Sequence, residues 1–192
     1  MEESESIASM VDDLYNFQEK FVEKFGPEKL PEKGRLVKEK AEEVLKSLKE
    51  VEPASLNTSF MLQCGRVLNI LPEYIKECEE YLSKVVKRDP SQITAWNMLG
   101  ETFWKKGDYP SAKDCFEGAV QRQKNKSSLR SLSMILRQLQ PTNIGDASKN
   151  VLRSVSLAKD AVEMDTSDGM SWYILGNAYL SLFFATEQNP KV

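Results

Sequence analysis

The chain has 192 residues, 29% of them charged and 41% hydrophobic, the size and balance of one soluble globular domain or a short run of repeats. It contains no histidine, which excludes Ser-His-Asp and Cys-His nucleophile systems and removes the usual general base and the commonest zinc ligand. A net charge of -3 gives no overall attraction for nucleic acid, so direct DNA binding is not expected.

Only 9 Gly and 8 Pro interrupt the chain, a composition that favours long helices. At the N-terminus, Ile7, Met10, Val11, Leu14, Phe17, Phe21 and Phe25 form a helical stripe that Gly26-Pro27 ends. Val37, Ala41, Val44, Leu48 and Val51 form a second stripe, ended by Pro53. The two predict an antiparallel helical hairpin over residues 1–52, a segment with 9 basic and 14 acidic side chains.

Residues 53–192 carry an internal repeat. Trp96-x-x-Leu99-Gly100-x-x-Phe103 recurs as Trp172-x-x-Leu175-Gly176-x-x-Tyr179. The first copy is followed by Ala112-x-x-x-Phe116 and Ala119, which completes the tetratricopeptide signature in a frame of ~34 residues. Trp, Leu and the aromatic share one face of helix A, Gly100 lets helix B approach, and Ala112, Phe116 and Ala119 form the facing surface. Lys106-Gly107-Asp108-Tyr109-Pro110 is the turn, with Gly after one helix and Pro opening the next.

Weaker units flank this one. Upstream, Met61, Cys64, Gly65 and Leu68 take the helix A positions and Cys78, Leu82 and Val85 those of helix B, with a turn near Pro72. Downstream, Leu129, Leu132, Ser133 and Leu136 fit helix A; Ser154, Ala158 and Ala161 fit helix B. The two signature tryptophans lie 76 residues apart where two repeats need ~68. The excess is expected as a loop at Pro141–Asp146. The final unit has a helix A but no helix B, so the array of about three and a half repeats is expected to be truncated, with Leu180, Leu182, Phe183 and Phe184 uncovered. The predicted fold is an all-α, right-handed tetratricopeptide solenoid with an N-terminal hairpin cap.

Cys64, Cys78 and Cys115 have no C-x-x-C spacing and their number is odd, so they read as small core residues in a reducing compartment. The acidic start lacks the build of a signal peptide, and no run reaches the ~18 apolar residues of a membrane span, so no membrane role is expected.

The runs AWNMLGETFWKKGDY, SLSMILRQLQ and SWYILGNAYLSLFFATEQNPK closely resemble the N-terminal half of the Strap family of tetratricopeptide adaptors. The resemblance implies a non-enzymatic adaptor, without cofactor or metal, found in cytoplasm and nucleus. In the cytoplasm it implies recognition of the nascent tubulin N-terminus, Met-Arg-Glu-(Ile/Cys), at the ribosome, leading to decay of tubulin mRNA. In the nucleus it implies a bridge between a histone acetyltransferase and its actin-nucleating cofactor in a stress response.

Helix A residues line the concave face of such arrays. With Trp96 as position 4, positions 2, 5, 9, 12 and 13 are Thr94, Asn97, Glu101, Trp104 and Lys105. With Leu129 as position 4, positions 5, 9 and 12 are Arg130, Met134 and Arg137; in the last unit they are Tyr173, Asn177 and Leu180. The peptide groove is therefore assigned to Asn97, Glu101, Trp104, Arg130, Met134, Arg137, Tyr173 and Asn177. Asn97 and Asn177 can each donate to and accept from one peptide bond. Arg137, between apolar neighbours, can take a carboxylate bidentately, and the resemblance implies that it grips the Glu of the tubulin peptide. Residues 121–153 hold seven basic side chains and one acid, Asp146, a patch that could receive an acidic peptide or a ribosomal surface.

A chaperone-type carboxylate clamp is not expected, because its positions hold Leu62, Arg66, Met98, Ser127 and Ser131. A general scaffold or other co-chaperone repeat is the alternative. An enzyme is not expected, since the chain has no phosphate-cradling glycine run and no metal-ligand cluster.

Overall fold

The computed structural model describes residues 2–50, 57–140 and 144–187. Among these residues every regular element is helical. They fall into two compact units, residues 1–105 and 106–192.

The first unit opens with α1 (Glu2–Glu19) and α2 (Phe21–Phe25), continues through a 3-10 turn (Pro27–Glu32) to α3 (Lys33–Glu50), and then runs through α4 (Thr58–Asn69), α5 (Lys76–Arg88) and α6 (Ile93–Lys106). The predicted stripes are its core. Val11, Leu14, Val37, Ala41, Val44 and Leu48 are buried together with Phe60, Cys64 and Val67 of α4. Each Val, Leu and Phe among them contributes ~1.5–3 kcal/mol by leaving water. Gly26, at φ +80°, ends α2 where a side chain would be strained. Val51 and Pro53 lie outside the described residues.

Polar contacts hold α1 to α4. Tyr15 Oη donates to the Arg66 carbonyl at 2.9 Å, and Arg66 donates to Asp12 at 2.6 Å. Burial raises the Tyr15 phenol well above its ordinary pKa. Asn57 caps α4 by accepting from Phe60 N–H at 2.7 Å. The α4–α5 pair is as close as the helix A signature requires. A Cβ on Gly65 would lie 2.6 Å from Leu82 Cδ2, and Leu82 is fully buried.

The second unit holds α7 (Tyr109–Arg122), α8 (Lys126–Leu136), α9 (Ile144–Met164) and α10 (Gly169–Glu187). Gly107 adopts φ +83°, Asp108 caps α7 by accepting from Ser111 N–H at 3.1 Å, and Tyr109-Pro110 open the helix. Ala112, Phe116 and Ala119 are fully buried, and the expected helix A and B residues of the next repeat, from Leu129 through Ala161, are buried too. All three cysteines are free and buried. Desolvation pushes the Cys115 thiol up to about 12 and raises that of Cys78 as well, which disfavours the thiolate form of both.

Two expectations change. The excess residues of the third repeat are not simply a loop: Ile144, Gly145 and Asp146 already belong to α9, 21 residues long against 14 for α7. Lengthening a helix satisfies the backbone internally, whereas a loop must find partners for each amide. Pro141, Thr142 and Asn143 lie outside the described residues. Leu182, expected to be uncovered, packs on the Val155–Ala158–Ala178 core, while Leu180, Phe183 and Phe184 are exposed.

A tandem feature of the loops was not read from the sequence. Asp89 accepts from Ser91 N–H at 3.1 Å, and Trp96 Nε1 donates to the Pro90 carbonyl at 2.9 Å. Asp165 accepts from Ser167 N–H at 3.1 Å, and Trp172 Nε1 donates to the Thr166 carbonyl at 2.9 Å. The pattern Asp-x-Ser-x-x-x-x-Trp thus builds the same helix entrance twice.

Candidate peptide-binding site

In the second unit a cavity of about 310 Å³ lies against α8 and α10. Met134 and Arg137 line it from the end of α8, and Tyr173, Asn177 and Leu180 line it from α10. These five come from the predicted positions 5, 9 and 12, so the phasing of the degenerate third repeat places its side chains on the same cavity as those of the last. Gln138, Ile174 and Ser181 also line it. Gln138 and Ser181 stand at position 13, the same rule that selects Lys105, so they were legible but unused. Ile174 is a core residue whose edge reaches the cavity.

Helix geometry explains why these groups converge. Residues three or four apart share a face, which puts Met134 with Arg137 on α8 and Tyr173, Asn177 and Leu180 on α10. Buried Ile135 and Leu136 fix the other side of α8 against the core, and buried Ile174 anchors α10 beside the cavity.

The charges of the region sort themselves. Lys124 pairs with Asp160 at 2.9 Å, Lys126 with Asp165 at 2.5 Å, Arg130 with Asp168 at 2.5 Å and Arg153 with Glu117 at 2.6 Å. The basic patch expected over residues 121–153 is therefore largely neutralised by acids outside that window. Arg130, assigned to the groove, is a brace between α8 and the α10 cap. Asp168 also accepts from Met170 N–H at 3.2 Å and Ser171 Oγ at 2.7 Å.

Arg137 differs from those four. Its described hydrogen bond runs from Nε to the Ser133 carbonyl at 3.3 Å, on its own helix, and it has no ion pair among the described residues. Burial pulls its pKa down, with Tyr173 opposing. A guanidinium stays charged nonetheless. The outcome is a half-buried cation on a cavity wall, beside a phenol, an amide and apolar side chains.

The first unit holds the other candidates on α6. Asn97 and Trp104 are half-buried there. Glu101 accepts from Asn69 Nδ2 at 2.6 Å. Lys105 donates to the carbonyls of Asn69 and Leu71, the latter at 2.7 Å, closing the C-terminus of α4. Burial lowers the Lys105 pKa, with Glu101 opposing. The Glu101 and Lys105 head groups thus serve to tie α6 to α4. Thr94 is exposed.

Comparison with known proteins accords with this architecture. A family model described as tetratricopeptide repeat matches residues 93–126. Over 189 residues the chain is 47% identical to tetratricopeptide repeat protein 5 of Mus musculus and 44% identical to that of Homo sapiens, covering 98% of this chain and 43% of each relative. The chain is similar to tetratricopeptide repeat protein 5. It spans less than half the length of those relatives. Among solved structures, a crystal structure of MamA superposes with a TM-score of 0.59 at 17% identity, over 83% of this chain and 94% of that one. A second MamA structure gives 0.53 at 15%, over 94% and 88%. Those likenesses show the fold, an all-α tetratricopeptide solenoid. The Strap-type resemblance of the runs around Trp96, Ile135 and Trp172 and the similarity to tetratricopeptide repeat protein 5 agree.

Proposed function

We propose that the cavity at Arg137 binds an extended peptide that presents a carboxylate, and that this peptide is the nascent N-terminus of tubulin. The observation that carries the reading is Arg137, a half-buried guanidinium with no acid beside it among the described residues, in a region where four neighbouring cations are paired. A planar fork in a partly dry site matches a carboxylate in two hydrogen bonds. Asn177 supplies a donor and an acceptor for one peptide bond, and Met134 and Leu180 supply apolar contact. Met-Arg-Glu-(Ile/Cys), the peptide implied by the Strap resemblance, offers the acid flanked by an apolar residue.

The cytoplasmic ribosome is then the setting and decay of tubulin mRNA the consequence. The nuclear role, bridging a histone acetyltransferase and an actin-nucleating cofactor, calls for an acidic segment on one of those proteins to occupy the same cavity.

A photo-crosslinker in place of Tyr173 tests the reading. On ribosomes translating tubulin it should label nascent tubulin, and labelling should fall when the third codon is changed from Glu to Gln. Equal labelling of both nascent chains contradicts a carboxylate-reading site.

A further inference from the structure

The first unit carries a second concavity, unrelated to the Arg137 cavity. It is a cleft of about 350 Å³ between α3 and α5, floored by α4. Phe60, Cys64 and Leu68 of α4 form its floor, each nearly buried, and nearly buried Leu48 with half-buried Leu45 and Tyr81 form its walls. The helices explain the opening. α4 packs on both α3 and α5, which leaves a trough running along it.

The rim is charged and sorted. On α5, Glu77, Glu80, Tyr81 and Lys84 line the cleft at spacing i, i+3, i+4 and i+7, two turns of one face. The connection at residues 70–75 is short, so α4 and α5 run antiparallel. Glu77 and Glu80 therefore lie toward Leu68, and Lys84 toward Phe60. Lys49, in the last turn of α3, adds a second cation. Among the described residues Lys49, Glu77 and Lys84 make no ion pair, and Glu80 pairs only with Lys76 on its own helix, at 3.6 Å. By contrast the polar groups of Asn69, Glu101 and Lys105 in the same unit are mutually bonded. Among the described residues these rim charges make no ion pair to another helix.

We infer that this cleft docks a short amphipathic α-helix of a protein partner, with an apolar face, an acidic side chain for the Lys49–Lys84 end and a basic one for the Glu77–Glu80 end. A trough between two helices on a third has the width of a helix, and two turns of α5 match about 10 Å of partner helix. The floor supplies the apolar contact of the helix-in-groove mode. The two-signed rim fits a protein segment better than a polyanion or an anionic lipid surface, either of which the glutamates repel.

The test uses labelled, lactam-stapled two-turn helical peptides with leucines along one face. One carries Glu at one end and Lys at the other; its twins carry Lys at both ends or Glu at both ends. Fluorescence anisotropy on the whole chain should give tighter binding of the mixed peptide than of either twin. Lys49→Glu with Lys84→Glu should weaken the mixed peptide about tenfold, which is roughly 1.4 kcal/mol, because exposed charge pairs are individually weak. The same double variant should bind the all-Lys twin more tightly than wild type does, a gain that an unfolded variant cannot show. Glu77→Lys with Glu80→Lys should produce the mirror result with the all-Glu twin. Binding no better than that of a leucine-free control, or affinities indifferent to both charge reversals, overturns the inference. So does a dimer of the wild-type chain in sedimentation that the rim reversals dissociate, because the occupant would then be a second copy.

Discussion

Arg137 and Arg130 are seven residues apart on one helix face, and spacing treats them alike. The structure separates them. Arg130 is ion-paired with Asp168, 38 residues away, and Arg137 is not paired with an acid among the described residues. Spacing identifies a face; it says nothing of which distant partner folds onto it, and for that reason the bonds of Arg130, Glu101 and Lys105 were not legible. The difference is measurable. Arg130→Ala removes a partly buried pair and leaves Asp168 with its capping bonds and the longer contact to Lys126 at 3.9 Å, so the thermal midpoint should fall, by about 1 kcal/mol in stability. Arg137→Ala should leave the midpoint within about 0.5 kcal/mol of wild type. Gly65 gives a packing test. Gly65→Ala gains about 1 kcal/mol of helix propensity. The new Cβ, however, meets Leu82 Cδ2 at 2.6 Å in a fully buried position, and overpacking costs ~1–3 kcal/mol. A lowered midpoint is expected; a raised one would mean that α4 and α5 can separate freely.

At the scale of elements, helix stripes and turn residues were readable because burial and φ depend on local sequence. Gly26 and Gly107 end their helices at positive φ, as their place in the sequence predicts. The extra turns of α9 were not readable, because Pro141 signals a break without saying how soon the next helix begins. The Asp-x-Ser-x-x-x-x-Trp entrances were present in the sequence twice, yet their hydrogen bonds involve backbone carbonyls that no residue type announces. They carry a pH signature. The hydrogen bond from Lys126, then those from Ser167, hold the Asp165 carboxyl down at about 2, against an ordinary value near 4. Hydrogen bonds from Ser91 and Gln92 lower Asp89, and a hydrogen bond from Ser171 lowers Asp168. A depressed folded-state pKa contributes stability above the unfolded value and loses it as pH falls through the folded one. The melting midpoint should therefore drop between about pH 4 and pH 2. Asp165→Asn should show a smaller drop over that window, and an unchanged one would contradict the entrance geometry.

For the molecule as a whole, repeat periodicity carried the fold class, since a 34-residue period with Trp, Leu, Gly and aromatic at fixed offsets has few structural solutions. Far-UV circular dichroism should show helix without a strand component. The grouping of a candidate site was legible where two repeats in register place side chains on one cavity, as Met134, Arg137, Tyr173 and Asn177 are placed. The most direct test is calorimetric titration of a Met-Arg-Glu-Ile peptide into wild type, Arg137→Ala and Arg137→Lys, each first shown to melt like wild type. Arg137→Ala should lose ~2–5 kcal/mol of binding, the cost of removing one member of a desolvated charge pair. That loss should vanish for a peptide with Gln in place of Glu. Arg137→Lys should recover part of it, having the charge without the planar fork. A well-folded Arg137→Ala that binds Met-Arg-Glu-Ile as tightly as wild type contradicts the account.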